Sequence, residues 1–132
     1  MKTINVLLVM LLAIILGSAG CKREDKAGKG GNAVLKITPR HHNNPISDCV
    51  VYLKYNSSTP PSETTEGYDE QMPVVMENGT PVATFSGLKN GKYYIYGYGF
   101  DNDIAQNVKG GIPYEVTTQG TIPINVPVTE TH

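Results

Sequence analysis

The stretch GTPVATFSGLKNGKYYIYGYGF, Gly79 to Phe100, reads as a strand, a tight corner and a second, tyrosine-rich strand. Val82, Thr84 and Ser86 alternate with Ala83, Phe85 and Gly87. Alternation at period 2 sends successive side chains to opposite faces of a sheet. Phe85 is the one large aromatic of that run, so its face is expected to be the core face. Lys89-Asn90-Gly91 follows, and Asn-Gly tolerates the positive φ of a tight turn. In the second strand Tyr93, Ile95, Gly97 and Gly99 share one face, and Tyr94, Tyr96, Tyr98 and Phe100 the other. Tyrosine and isoleucine favour the pleated backbone. Three glycines would each cost a helix about 1 kcal/mol relative to alanine.

Ala83-Thr84-Phe85-Ser86-Gly87-Leu88, then two residues, Gly91, Tyr93 and Ile95, resembles the carboxypeptidase regulatory-like and transthyretin-like family of small β-sandwiches. In that family the equivalents of Phe85, Leu88 and Tyr93 are core residues at a corner between two strands. The resemblance covers 79–100 well and 33–128 loosely. A likeness of fold carries little about function.

The remaining chain is read the same way. Val34–Thr38 is a short strand ended by Pro39, and Arg40–Pro45 is a loop by composition. Cys49–Tyr55 is a strand. Asn56–Gln71 is a polar loop, longer than ordinary connections and so either a functional or a disordered insert. Met72–Glu77 is a strand, turning at Asn78-Gly79. Asp101-Asn102-Asp103 is a turn leading into a polar connection. Ile112–Thr117 and Thr121–Val128 are expected to close as a final hairpin, with Ile122, Ile124, Val126 and Val128 on one face. Short strands with regular turns and no helix signal imply an all-β fold, a seven-stranded Greek-key β-sandwich of transthyretin-like or immunoglobulin-like kind.

Ahead of this domain stands an export leader. Lys2 supplies a positive start, Ile4–Leu16 an apolar run broken only by Asn5, and Gly17-Ser18-Ala19-Gly20 the small residues before Cys21. The apolar run is shorter than the ~20 residues a spanning helix needs, which reads as a secretory signal. The Ser-Ala-Gly-Cys ending resembles a bacterial lipobox, with Ser18 where leucine is commoner. That resemblance implies cleavage before Cys21, acylation of its thiol and amine, and a stable lipid anchor. The expected division is signal peptide 1–20, lipidated flexible tether 21–31 and β-sandwich domain 32–132. The charged run after Cys21, with the pair Glu24-Asp25, also resembles the surface-export signals of Bacteroidetes lipoproteins; a plain solvated linker is the other reading. The expected location is the outer membrane, on its inward or its cell-surface leaflet.

Removing the leader takes away Lys2 and leaves ten basic against twelve acidic residues. No basic stripe with interleaved aromatics is present, so nucleic acid is not expected as a partner. With Cys21 acylated, Cys49 stands alone and no intrachain disulfide can form; it reads as a buried small hydrophobe. Catalysis is not expected: there is no Gly-x-Ser-x-Gly elbow, no spaced Cys-His pair and no phosphate loop. The C-terminal Tyr-Arg-Gly-Ser signature of transthyretin-like hydroxyisourate hydrolases is absent.

Two groups of residues invite a functional reading. Tyr94, Tyr96 and Tyr98 form a row that faces outward if Tyr93 and Ile95 face the core. Such a row suits a glycan or an envelope-protein partner; the bland alternatives are a face covered by the 56–71 loop or by neighbouring strands, or a reversed register that makes the row core. His41 and His42, with Asp48 nearby, are the alternative: a small metal-binding protein or hydrolase. Against it, adjacent residues on an extended chain point apart, and zinc wants three or four convergent ligands. No cofactor and no metal is therefore expected. The reading is a non-catalytic lipoprotein, binding or structural, accessory to glycan or protein uptake.

Overall fold

The computed structural model describes residues 26–131. The leader and residues 21–25 of the expected tether, Cys21 among them, lie outside the described residues. Ten strands follow one another: β1 Lys29–His41, β2 Asn44–Pro45, β3 Asp48–Tyr55, β4 Glu70–Pro73, β5 Val75–Glu77, β6 Thr80–Leu88, β7 Gly91–Asp101, β8 Gln106–Val116, β9 Gly120–Pro127 and β10 Thr129–Glu130. No helix occurs among the described residues. One sheet runs β2-β1-β6-β5, with β9 also pairing β1; the other runs β10-β8-β7-β3-β4. Every pairing is antiparallel except β1 with β9. The sheets form a β-sandwich around a core that includes Leu35, Ile37, Val51, Leu53, Phe85, Leu88, Tyr93, Ile95 and Val126.

The opening stretch behaves as its alternation implies. Ala83, Phe85 and Leu88 are fully buried from one sheet, and Tyr93 and Ile95 from the other. The corner at Lys89–Asn90 carries the chain between sheets, so β6 and β7 are consecutive but unpaired. Gly91 makes this corner possible: its φ is +146°, and a Cβ there would sit 2.6 Å from the backbone nitrogen of Ala27.

That contact overturns the expected boundary at residue 32. Ala27 is buried in the core, and β1 begins at Lys29. The Ala27 amide donates to Asn56 Oδ1 at 2.9 Å, and the Lys89 amide donates to Gly28 O at 2.8 Å. Residues 27–31 carry few apolar side chains, which is why they read as tether. They are held instead by backbone hydrogen bonds and by close approach. At Gly31 a Cβ would fall 2.1 Å from Leu88 O, where the β1–β6 ladder is bulged.

Two further expectations change. The Met72–Glu77 strand divides at Val74: β4 pairs β3 in one sheet and β5 pairs β6 in the other. The final hairpin does not form. β8 starts earlier, at Gln106, and pairs β7 over its whole length, while β9 runs parallel to β1. A turn signal at Thr118–Gly120 fixes a break in the strand, not the sheet to which the chain returns. Ile124, Val126 and Val128 are buried on the shared face that their alternation implies.

Tyr93 ties these parts together. Its hydroxyl donates to Lys89 O and accepts from the Gly28 amide, both at 2.8 Å. Bonding to the backbone four residues upstream is the geometry of a tyrosine corner. Tyr93→Phe leaves the ring in place but strands the buried Gly28 amide and the part-buried Lys89 carbonyl, which costs about 1–3 kcal/mol. The expected result is a thermal midpoint lower by about 5 °C or more with an unchanged far-UV spectrum; an unchanged midpoint would show that the bonds contribute nothing net.

Candidate functional site

The outward face of β7 is not an open aromatic platform. Tyr94 is half-buried, Tyr96 is only 8% exposed, and Tyr98 alone is exposed, at 39%. The covering group comes from the long loop. Tyr68 stacks on Tyr96 with ring centroids 5.7 Å apart and planes 18° from parallel. Tyr52, the cross-strand partner of Tyr96 on β3, lies 5.5 Å from Tyr68 and 6.2 Å from Tyr96. The three rings form a small second core outside the sheet. Asp69 anchors the loop behind them by accepting from the Tyr55 amide at 2.7 Å. Burial pushes the phenol pKa of Tyr68 and Tyr96 up. The expected row of three ligand-binding tyrosines is thus reduced to one accessible member. Tyr98 borders a groove of about 380 Å³ lined also by Tyr96, Glu63, Thr64, Thr65, Lys109 and Thr131.

A second cluster lies at one end of the sandwich. His41 ends β1 with only 3% of its surface exposed, in contrast to the solvated loop position expected for it. Its Nδ1 lies 2.7 Å from Asp101 Oδ2 at the end of β7, and its Nε2 lies 3.3 Å from Glu130 Oε1 on β10. The Nε2 contact has no hydrogen-bond alignment, so that atom is buried without a partner. Asp101 is fixed in turn, its Oδ1 accepting from the Asp103 amide at 2.9 Å. The Asp101-Asn102-Asp103 segment is therefore an ordinary Asx turn with one carboxylate oxygen left for His41.

His42 does not point away from His41. His42 and Asn43 both have positive φ, +48° and +67°, in a two-residue turn closed by the His41–Asn44 register pair. Two such residues are the mark of a type I′ hairpin. The turn folds the His42 ring back to 4.1 Å from that of His41, and its Nε2 lies 3.6 Å from Glu130 Oε1. The extended-chain geometry assumed for the pair ends at His41. Asp48 is exposed at the start of β3 and takes no part in the group His41, His42 and Glu130. Asp101 and Glu130 are far from the histidines in sequence, and no local spacing flags them. Cys49 is buried as its sequence context implies, and burial pushes its thiol up to about 12.

Comparison with protein-family models, with curated proteins and with solved structures gives no match to this chain. A functional reading therefore rests on these two sites and on the chain's chemistry.

Two outcomes test the geometry. A double-mutant cycle over Tyr68→Ala and Tyr96→Ala, read by urea unfolding, is expected to show a coupling of about 0.5–1.5 kcal/mol for the stacked pair; additive single losses would mean the loop merely lies nearby. The second concerns pH. The Asp101 hydrogen bond raises the His41 pKa above its ordinary 6.5, and the His41 hydrogen bond lowers that of Asp101 below 3.8. A raised histidine stabilises below its unfolded pKa and loses that contribution as pH rises through the folded value. A lowered aspartate stabilises above its unfolded pKa and loses it as pH falls through the folded value. In chelator-treated protein the pair's contribution should be full between about pH 3.8 and 6.5 and decline on either side. Asp101→Asn should flatten both flanks of the pH–stability curve, and a curve of unchanged shape would refute the pairing.

Proposed function

We propose that this chain is a non-catalytic lipoprotein of the outer membrane, anchored through acylated Cys21. Its folded part is a single binding or structural module. We read the two sheets as a Greek-key sandwich of the transthyretin-like kind. Seven principal strands make up that sandwich once β4 and β5 are counted as one interrupted strand and the two-residue β2 and β10 are set aside. The carrying observation is where the domain begins. Ala27 is already in the core, with only five residues between it and Cys21. An export leader, a lipid-accepting cysteine and a compact domain then follow one another with almost nothing between them. That arrangement suits a module held close to a membrane.

The binding role is an accessory one in uptake of a surface glycan or protein. The groove beside Tyr98 supports it. Its volume lies within the range of ligand pockets, and it sets one exposed ring among hydroxyl, carboxylate and ammonium groups. An aromatic face beside hydrogen-bonding side chains fits the apolar and polar faces of a sugar ring. Tyr96, largely covered by Tyr68, also lines the groove and supports the fold of this region.

Intact mass of the membrane-extracted protein, together with protease shaving of whole cells, tests the placement. Cleavage before Cys21 with added acyl chains is the expected mass, and an unacylated chain would remove the anchor from this reading. Shaving distinguishes the leaflets. For the groove, Tyr98→Ala is expected to leave the melting temperature within about 2 °C, because the ring is exposed. The same change is expected to weaken retention on a polysaccharide affinity column at least fivefold; equal retention of variant and parent would exclude Tyr98 as a contact.

A further inference from the structure

We propose that His41, His42 and Glu130 form a site for one zinc(II) ion, with Asp101 orienting His41 from behind. The inference stands on four observations. First, one ring nitrogen each of His41 and His42 and a carboxylate oxygen of Glu130 converge within 4.8 Å of one another. Second, the spacings are those a metal requires. Ligand atoms about 2.0–2.1 Å from a tetrahedral zinc stand about 3.3 Å from each other. The Glu130 oxygen lies 3.3 Å from His41 Nε2 and 3.6 Å from His42 Nε2. Third, His41 Nε2 is buried in a side chain 3% exposed, and has no hydrogen-bond partner. Folding rarely leaves such an atom unpaired, and it aims into this cluster. Fourth, the other nitrogen of the same ring is held by Asp101 at 2.7 Å. A carboxylate on Nδ1 fixes the ring and the tautomer that presents the Nε2 lone pair, as carboxylate–histidine–zinc arrangements do.

The donor set selects the class of ion. Two imidazoles and one carboxylate suit zinc(II) better than calcium or magnesium, which take oxygen ligands. Three protein ligands leave a fourth position for water or for a group from outside the chain. His42 is 75% exposed, so that position faces solvent. The backbone builds the site from both sheets. The type I′ turn after β1 supplies the two histidines, and β10, paired to β8 in the other sheet, supplies Glu130. Binding releases any proton carried on Nε2, so uptake strengthens as pH rises through the histidine range.

The test uses the full chain, extracted in detergent and freed of metal with a chelator. Zinc is titrated by calorimetry at pH 7.5. One zinc per chain is expected. His42→Ala and Glu130→Gln are each expected to weaken binding tenfold or more; His42 is exposed, so its variant should melt where the parent does. Asp101→Asn is expected to weaken binding about 10–100-fold while keeping the one-to-one stoichiometry, as loss of an outer-shell partner does. Cobalt(II) gives an independent reading, through the visible absorption of a four-coordinate site that disappears in the His42→Ala variant. No stoichiometric zinc uptake by the parent chain, or equal uptake by the parent and both ligand variants, overturns the proposal.

Discussion

The hydroxyl of Tyr93 is the contact on which the sandwich depends. It lies inside the protein, between the corner at Lys89 and the incoming backbone at Gly28. A polar atom in that position is costly unless both of its neighbours are in place. The corner between the sheets, the first residues of β1 and the ring packed in the core are thus stabilised together or not at all. Burial of Phe85 and Leu88 from one sheet and of Ile95 from the other gives the apolar driving force. Tyr93 gives it a specific geometry.

What could be read in the amino acids follows from the range over which each signal acts. Phe85, Tyr93 and Ile95 declare their faces through alternation within a strand, and all three are buried as that alternation implies. Strand β3 was legible for the same reason. The start of β1 was not, because Gly30, Gly31 and Asn32 contribute backbone pairing and close approach, and neither leaves an apolar pattern. The partner of β9 was illegible too. Its parallel pairing with β1 joins segments some ninety residues apart, and no local spacing encodes such a choice.

The two candidate sites failed to show themselves in opposite ways. The tyrosine row was visible, but its cover was not: Tyr68 sits alone in a polar loop and announces no stacking partner. The loop's length was the available hint, since a long ordered connection needs packing of its own. The histidine pair was visible, but its geometry was hidden in two residues of positive φ. Its carboxylates come from the ends of β7 and from β10, which only the three-dimensional fold brings near.

Strand β1 has one more consequence, which concerns direction. It spans thirteen residues, bulged near its start, so it extends at most about 40 Å from Lys29 to His41. Five residues separate Cys21 from Ala27, a leash of at most about 20 Å when taut. With Cys21 in a bilayer, as proposed, the strand acts as a mast. The Asn90 and Gln119 loops lie at its foot, the end nearer Cys21 in sequence. The histidine turn would then be the end farthest from the anchor, separated from it by the length of β1.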